Sequence, residues 1–470
     1  MRPRRRALLA LGIGLLAVPS VAPAQDGDAP PPLGEPRPFD LPETERFTLE
    51  NGLTVTLVPY GRTPKATVRL VLPTGNVDEA ADEIWLADLT GDLVQEGTTS
   101  RDAEEVATEA AAMGGSLSLG VGTDRTSVGG DVLQEFAPDM VRLIADVVRN
   151  PDLPASELDR LKDDRIRRLS VSTRQPGTLT RAEFLERLYP DHPYGRMLPT
   201  TAMIEGLSHD RVRTFWERHY GPDGAHLYIA GRFDADAVRD AAGDAFEDWT
   251  AEGDQAAPTA SAADAADIVF VERPDASQST LHLGLPVVDP SHEDYVALQV
   301  TNALLGGSFA SRITGNIRED KGYTYSPQSS VSSRYRTAYW VQTADVTSDV
   351  TGPALEEIFH EIERLRSEPP PEEELDGIRN YLAGLFVLQN SSRGGIVGQL
   401  SFLDLHGLTE SYLTGYVDRV HAVTPEEVQR IARTYFRPDD MLLVVTGDPE
   451  VALPQLRSFG TVEVVEPAAP

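Results

Sequence analysis

The 470 residues predict an α+β fold built twice in tandem. Three observations carry the prediction. The first is a long-period repeat: Leu89-Thr90-Gly91-Asp92 matches Leu305-Gly306-Gly307-Ser308 at an offset of 216, Glu157-Leu158-Asp159 matches Glu374-Leu375-Asp376 at 217, and Arg218-His219-Tyr220-Gly221-Pro222-Asp223 matches Thr434-Tyr435-Phe436-Arg437-Pro438-Asp439 at 216. The second is that each copy opens with strand-like runs and continues into amphipathic helical stretches. The third is a polar break, residues 250–267, rich in Ala, Asp and Ser and without apolar periodicity. These features divide the chain into a first domain, 45–249, a linker, 250–267, and a second domain, 268–465. The linker is expected to be the first site cut in limited proteolysis, because a polar segment without apolar anchors is the least protected. Initial cleavage within 305–325 would mean that the boundary is misplaced.

From the amino terminus, residues 1–24 read as a secretory leader: Arg2, Arg4, Arg5 and Arg6, then an apolar run from Ala7 to Val18 too short to span a bilayer, then Ala22-Pro23-Ala24 as a cleavage site. Residues 25–44 form a lead-in rich in Pro, Gly and Asp. Strands are expected at 47–49, 53–59 and 66–72, with Asn51-Gly52 as the hairpin turn between the first two. Helices are expected at 102–113 and 135–149. In the second copy strands fall at 268–272 and 279–285, and a helix at 353–367. Such alternation implies antiparallel sheets with helices packed on one face.

Composition bounds the compartment and the partners. There is no cysteine, so neither a disulfide nor a lipid-attachment thiol is available, which with the leader points to an exported, periplasmic or extracellular protein. The formal net charge is −32, and loss of the four leader arginines makes it four units more negative. Such a surface argues against nucleic acid as a partner. The acids are spread along the whole chain, which favours general surface adaptation over steering of basic peptides toward a chamber.

One segment carries the outline of a catalytic helix without its chemistry. Trp85-Leu86-Ala87-Asp88-Leu89-Thr90-Gly91-Asp92-Leu93-Val94-Gln95-Glu96-Gly97-Thr98 resembles the inverted zinc helix of the pitrilysin/insulinase metallopeptidases, G-L-A-H-x-x-E-H-x-x-x-x-G-T. By that resemblance Asp88 and Asp92 stand in place of the two histidine ligands, Gly91 in place of the general-base glutamate, and Arg168, on a later helix, at the third ligand. Glycine offers no base, and a guanidinium repels a metal. Asp88 and Asp92, spaced i and i+4, share a helix face, but calcium or magnesium wants six or more oxygens from several segments. The pair is therefore read as a solvated acidic face, and no metal or other cofactor is expected in this chain.

The second copy keeps its signature. Leu305-Gly306-Gly307-Ser308-Phe309-Ala310-Ser311-Arg312, then Ile317-Arg318-Glu319-Asp320-Lys321-Gly322-Tyr323-Thr324-Tyr325-Ser326, resembles the carboxy-terminal motif of the same family. The resemblance spans about residues 45–465. It implies two homologous α/β sandwich domains, of the mitochondrial-processing-peptidase type, forming a clam-shaped subunit. It also implies that Arg318 and Tyr325 hold substrate against a zinc site in the opposite half. The segment Gly115, Ser116, Leu117, Ser118, Leu119 corresponds to the sheet edge on which the family lays its substrate as an added strand. His192, in a His-Pro-Tyr-Gly turn, is read as structural, and His219, His226 and His406 lack ligand spacing.

The combination implies a non-catalytic subunit of a two-chain peptidase, inactive alone. Its partner would be a homologous H-x-x-E-H chain holding the zinc, and its substrates unfolded or short peptides. The alternative is an inactive peptide-binding, assembly or chaperone-like protein of the cell envelope.

Overall fold

The computed structural model describes residues 39–250 and 267–467, together with 260, 262 and 263. The leader, most of the lead-in and most of the linker lie outside the described residues. Two six-stranded sheets organise the chain. The first contains β1 (Glu45–Thr48), β2 (Thr54–Pro59), β3 (Lys65–Leu72), β4 (Ser118–Val121), β5 (Thr126–Leu133) and β6 (His226–Gly231), in the order β1-β2-β6-β3-β5-β4. The second contains β7 (Ile268–Glu272), β8 (Gln278–Val287), β9 (Gln328–Arg334), β10 (Thr337–Thr347), β11 (Leu442–Gly447) and β12 (Val462–Val465), in the order β12-β7-β11-β8-β10-β9. Five strands correspond in order, β2-β6-β3-β5-β4 with β7-β11-β8-β10-β9, while the remaining edge is filled differently: β1 precedes the other strands of its half and runs antiparallel to β2, and β12 follows those of its half and runs parallel to β7.

The expected hairpin forms around Gly52, whose φ of +96° is the left-handed geometry that glycine adopts without steric cost. Asn51 anchors it by donating to the carbonyls of Phe246 and Trp249, at 2.6 and 3.0 Å. The expected helices form at Ala103–Ala112, Ala137–Arg149 and Thr351–Ser367.

Two expectations change. The sheets are mixed, since β2 runs parallel to β6, and β7 parallel to β11 and β12. Helices cover both faces of each sheet. One face of each sheet packs on helices of its own half, around Leu70, Leu89 and Ile144 in the first and Leu283, Leu305 and Ile358 in the second. The other face is covered by a helix exchanged between the halves. Phe184, Leu185 and Leu188 of helix Pro176–Leu188 pack on Val269, Val341 and Val444 of the second sheet. Reciprocally, Ile396, Val397 and Leu400 of helix Arg393–His406 pack on Val58, Val71 and Tyr228 of the first. Burial on both faces explains why β6 and β11 are buried at every position and carry near-continuous apolar runs. The exchange also ties the halves together through apolar surface, so that the described residues form one compact unit. No described helix is long and apolar enough to cross a membrane.

Candidate functional site

Helix Leu86–Val94 buries Leu86, Leu89 and Leu93 and turns Asp88 and Asp92 toward helix Leu158–Ser172. The aspartates are not a solvated face. Arg165 lies between them, its side chain 7% exposed. Its Nη1 is 2.8 Å from Asp88 Oδ1, its Nε 2.7 Å from Asp92 Oδ2, and its Nη2 donates to the Asp88 carbonyl at 3.0 Å. The remaining Asp88 oxygen accepts from Asn76 Nδ2 at 2.7 Å.

Arg168, assigned to this place from sequence, is exposed; the residue that meets the aspartates is Arg165, one helical turn earlier. The geometry explains the correction. Leu158, Leu161, Arg165 and Leu169 make the buried stripe of their helix, and Arg168 falls off it.

Gly91 faces the sheet edge. A Cβ there would come within 2.8 Å of both Leu119 Cδ2 and Val121 Cγ2 of β4, so the space a general base would need is filled by the edge strand. Of the residues assigned to a substrate edge, Ser118 and Leu119 belong to β4, which is the end strand of its sheet, while Gly115, Ser116 and Leu117 lead into it.

Zinc does not fit this donor set. The acidic pair already holds a guanidinium, and among the described residues no three His, Cys, Asp or Glu side chains converge as a metal site.

A third carboxyl group, that of Glu79, sits at the start of the helix. Glu79, 5% exposed, accepts from the backbone N–H of Trp85 at 3.0 Å and of Ala87 at 2.9 Å, and from Asn76 Nδ2 at 3.0 Å. It thereby satisfies helix-terminal donors that the helix itself cannot. Trp85 opens the helix in a left-handed conformation, φ +72°, which Glu79 helps to hold. Burial pushes the Glu79 carboxyl up to about 8, against the pull of Asn76, Ala87 and Trp85.

Between its ordinary value of 4.5 and about 8, the folded chain keeps a proton that the unfolded chain has released, so stability falls as pH rises through that window. The slope is at most about 1.4 kcal/mol per pH unit. Glu79→Gln is expected to flatten it, although the amide loses one backbone contact at every pH. Urea unfolding at pH 5 and pH 8 checks this, and an unchanged slope in the variant would remove Glu79 as its source.

In the second half, Arg318 lies in a π-helix, Thr314–Asp320, a geometry frequent at functional sites. Its guanidinium lies over two rings, 4.5 Å from the centroid of Phe309 and 4.9 Å from that of Tyr325. Its Nε is 3.3 Å from Glu319. The loop beyond is fixed: Tyr323 N–H donates to the Ile317 carbonyl at 2.8 Å, and Thr324 Oγ1 to that of Asp345 at 2.7 Å. Tyr325 nevertheless stands 80% exposed and Phe309 70%. The arrangement presents two donors, a guanidinium and a phenol, on an apolar platform facing outward. His192 caps a short turn through Tyr194 N–H at 3.2 Å, as a structural residue does.

The fold and the residual motif define a peptidase-like chain with two homologous halves, and comparison with known proteins gives its family. Residues 55–201 match the model described as Insulinase (Peptidase family M16), and residues 206–382 the one described as Peptidase M16 inactive domain. This chain belongs to the M16 insulinase peptidase family. It is 27% identical over 290 residues to an uncharacterized zinc protease of Mycobacterium leprae, covering 61% of this chain and 65% of that one. It is 23% identical over 395 residues to an uncharacterized zinc protease of Streptomyces coelicolor, covering 83% and 86%. In structure it resembles the peptidase M16 inactive domain from Pseudomonas fluorescens, with a TM-score of 0.78 and 23% identity over 86% of this chain and 98% of that one.

Proposed function

We propose that this chain is the non-catalytic, substrate-binding subunit of an exported zinc metalloendopeptidase, and that it supplies Arg318 and Tyr325 to the metal site of a homologous H-x-x-E-H partner. The observation that carries the reading is Arg165. A guanidinium held between Asp88 and Asp92 replaces the metal, and Gly91 leaves no base to activate water. The opposite half keeps its two donors, displayed outward. A peptide carbonyl reaching them from a partner would meet a guanidinium and a phenolic hydroxyl, both suited to negative charge growing on oxygen. The substrates are unfolded or short peptides.

The purified chain is expected to bind no stoichiometric zinc and to cleave no peptide alone. Asp88→His with Asp92→His is expected to remain inactive, because the base is still missing and such groups act as a unit. Elemental analysis after dialysis against zinc checks the first point, and one tightly held zinc per chain at helix Leu86–Val94 refutes the reading. Co-purification of a zinc-bearing homologue from the native source tests the pairing. A self-associated chain that binds peptides with no such homologue would instead identify an inactive peptide-holding protein.

A further inference from the structure

A cavity of about 620 Å³ lies at the seam between the halves, and its lining includes neither the aspartate pair nor Arg318 and Tyr325. The first half contributes Arg46 from β1, Arg125 from the loop between β4 and β5, and His226 and Tyr228 from β6. The second contributes Tyr335 and Arg336 at the tip of the β9–β10 hairpin, and Asp404 from helix Arg393–His406. In a chain of net charge −32, three guanidinium groups converge here against two carboxylates, Asp124 and Asp404.

Both carboxylates are already engaged. Asp404 accepts from His226 Nδ1 at 3.0 Å, from Arg46 at 3.0 Å and from the Tyr228 hydroxyl, and Asp124 accepts from the Tyr194 hydroxyl at 2.5 Å. His226 is saturated as well, since its Nε2 is 2.7 Å from Thr56 Oγ1. Thr56, His226 and Asp404 stand in the order of a nucleophile, base and orienting acid, but Thr56 is buried behind the cavity wall, so the trio serves to fix the imidazole.

Arg125 and Arg336 are left over. Arg125 donates to the Ser401 carbonyl and, at 2.6 Å, to Ser401 Oγ, both neutral acceptors, and burial lowers its pKa. Arg336, in a left-handed conformation with φ +56°, leans on the Tyr335 ring at 4.9 Å. Among the described residues neither has a carboxylate within ion-pair distance. Arg125 is thus a largely desolvated guanidinium hydrogen-bonded to neutral acceptors, with Asp404 and Asp124 acting on it from beyond ion-pair distance, and an anion in direct contact would offset its remaining desolvation cost.

We propose that this cavity binds a small anion carrying a carboxylate or phosphate group, held by Arg125 and Arg336 with Arg46 at the rim. The arginine fork matches both oxyanions in two-point geometry. The volume suits a metabolite-sized ligand, and walls drawn from both halves mean that the ligand braces the seam.

Calorimetric titration with inorganic phosphate and with succinate, at constant ionic strength in chloride, tests the site. At least one probe is expected to bind with unit stoichiometry, phosphate alone indicating a phosphorylated ligand and succinate alone a carboxylate. Arg125→Gln and Arg336→Gln are each expected to weaken that binding about tenfold or more, the loss of one charge-assisted contact, and Arg125→Lys to retain part of it. Arg125 also ties two segments together through Ser401, so if Arg125→Gln fails to fold, the exposed Arg336→Gln decides. Failure of both probes to saturate at millimolar concentration overturns the site, as does unchanged affinity in Arg336→Gln.

Discussion

Replacing Arg165 by methionine is expected to destabilise the folded chain by about 2–4 kcal/mol, somewhat less than the cost of removing one member of a fully buried ion pair. The side chain is almost fully buried, and it makes ion-pair contacts with two carboxylates and a hydrogen bond to the Asp88 carbonyl. Without it, Asp88 and Asp92 face one another on successive turns with Asn76 as the remaining donor to Asp88. Each aspartate is about a quarter exposed, which lets water screen part of the loss and accounts for the smaller cost. Adding Asp88→Asn and Asp92→Asn to Arg165→Met is expected to recover most of the stability, because it removes the uncompensated charge rather than restoring the contact. Arg168→Met, on the exposed face of the same helix, is expected to stay within about 0.5 kcal/mol of the parent. Urea unfolding of the parent and the three variants measures these differences. Equal effects at 165 and 168 would show that the guanidinium does not hold helix Leu86–Val94 to helix Leu158–Ser172.

On the proposed reading the Arg165 cluster stands where a metal site would be, and it holds two helices together. A guanidinium joins helix Leu86–Val94 to helix Leu158–Ser172, but unlike a metal it has no exchangeable coordination position. At Gly91 the edge strand β4 lies against the helix, with the Leu119 and Val121 side chains in the space a longer side chain would enter. Restoring a glutamate at 91 therefore requires the Leu119 and Val121 side chains to shift as well as a change of residue.

The two halves are legible in the sequence because the repeat is recorded in turn residues and apolar runs that local structure demands. Asn51-Gly52 and the strands beside it can be read without tertiary information, since a hairpin is local. The exchanged helices cannot. Pro176–Leu188 and Arg393–His406 carry ordinary apolar residues, and nothing in a helical period names the sheet on which a helix will lie; the clue is the continuous burial that β6 and β11 require. Arg165 is legible in principle. It falls on the stripe Leu158, Leu161, Arg165, Leu169, and an arginine on a buried face needs a carboxylate opposite it. The family motif points to Arg168 instead. Glu79 gives no local signal, because its partners are backbone donors of a helix that begins seven residues later. Phe309 stands inside the carboxy-terminal motif, yet its place under the Arg318 guanidinium depends on a π-helix that a 3.6-residue period does not anticipate.

In a complex with a zinc-bearing partner, Tyr325→Phe is expected to lower kcat about 10²-fold with little change in KM, and Arg318→Ala to lower kcat and raise KM together. The two differ because they act at different stages. A phenolic hydroxyl aimed at a carbonyl gains most as that carbonyl becomes an oxyanion, so its loss falls on the transition state. A guanidinium also attracts the neutral carbonyl before reaction, and its removal weakens the bound substrate as well. Tyr325 is the cleaner test. Its ring is mostly exposed, so phenylalanine keeps the stacking on Arg318 and removes only the hydroxyl. Phe309→Ala provides the intermediate case: Arg318 keeps its charge but loses one of the two rings that orient it, and kcat is expected to fall by less than in Arg318→Ala. Folding of the single chains, measured by circular dichroism, and pairing with the partner, measured by gel filtration, are expected to match the parent, since none of these side chains belongs to the core clusters. If the Tyr325→Phe complex cleaves peptide at the parental rate, the hydroxyl has no part in stabilising the oxyanion; if Arg318→Ala abolishes pairing itself, the platform is a docking surface for the partner rather than a clamp on the substrate.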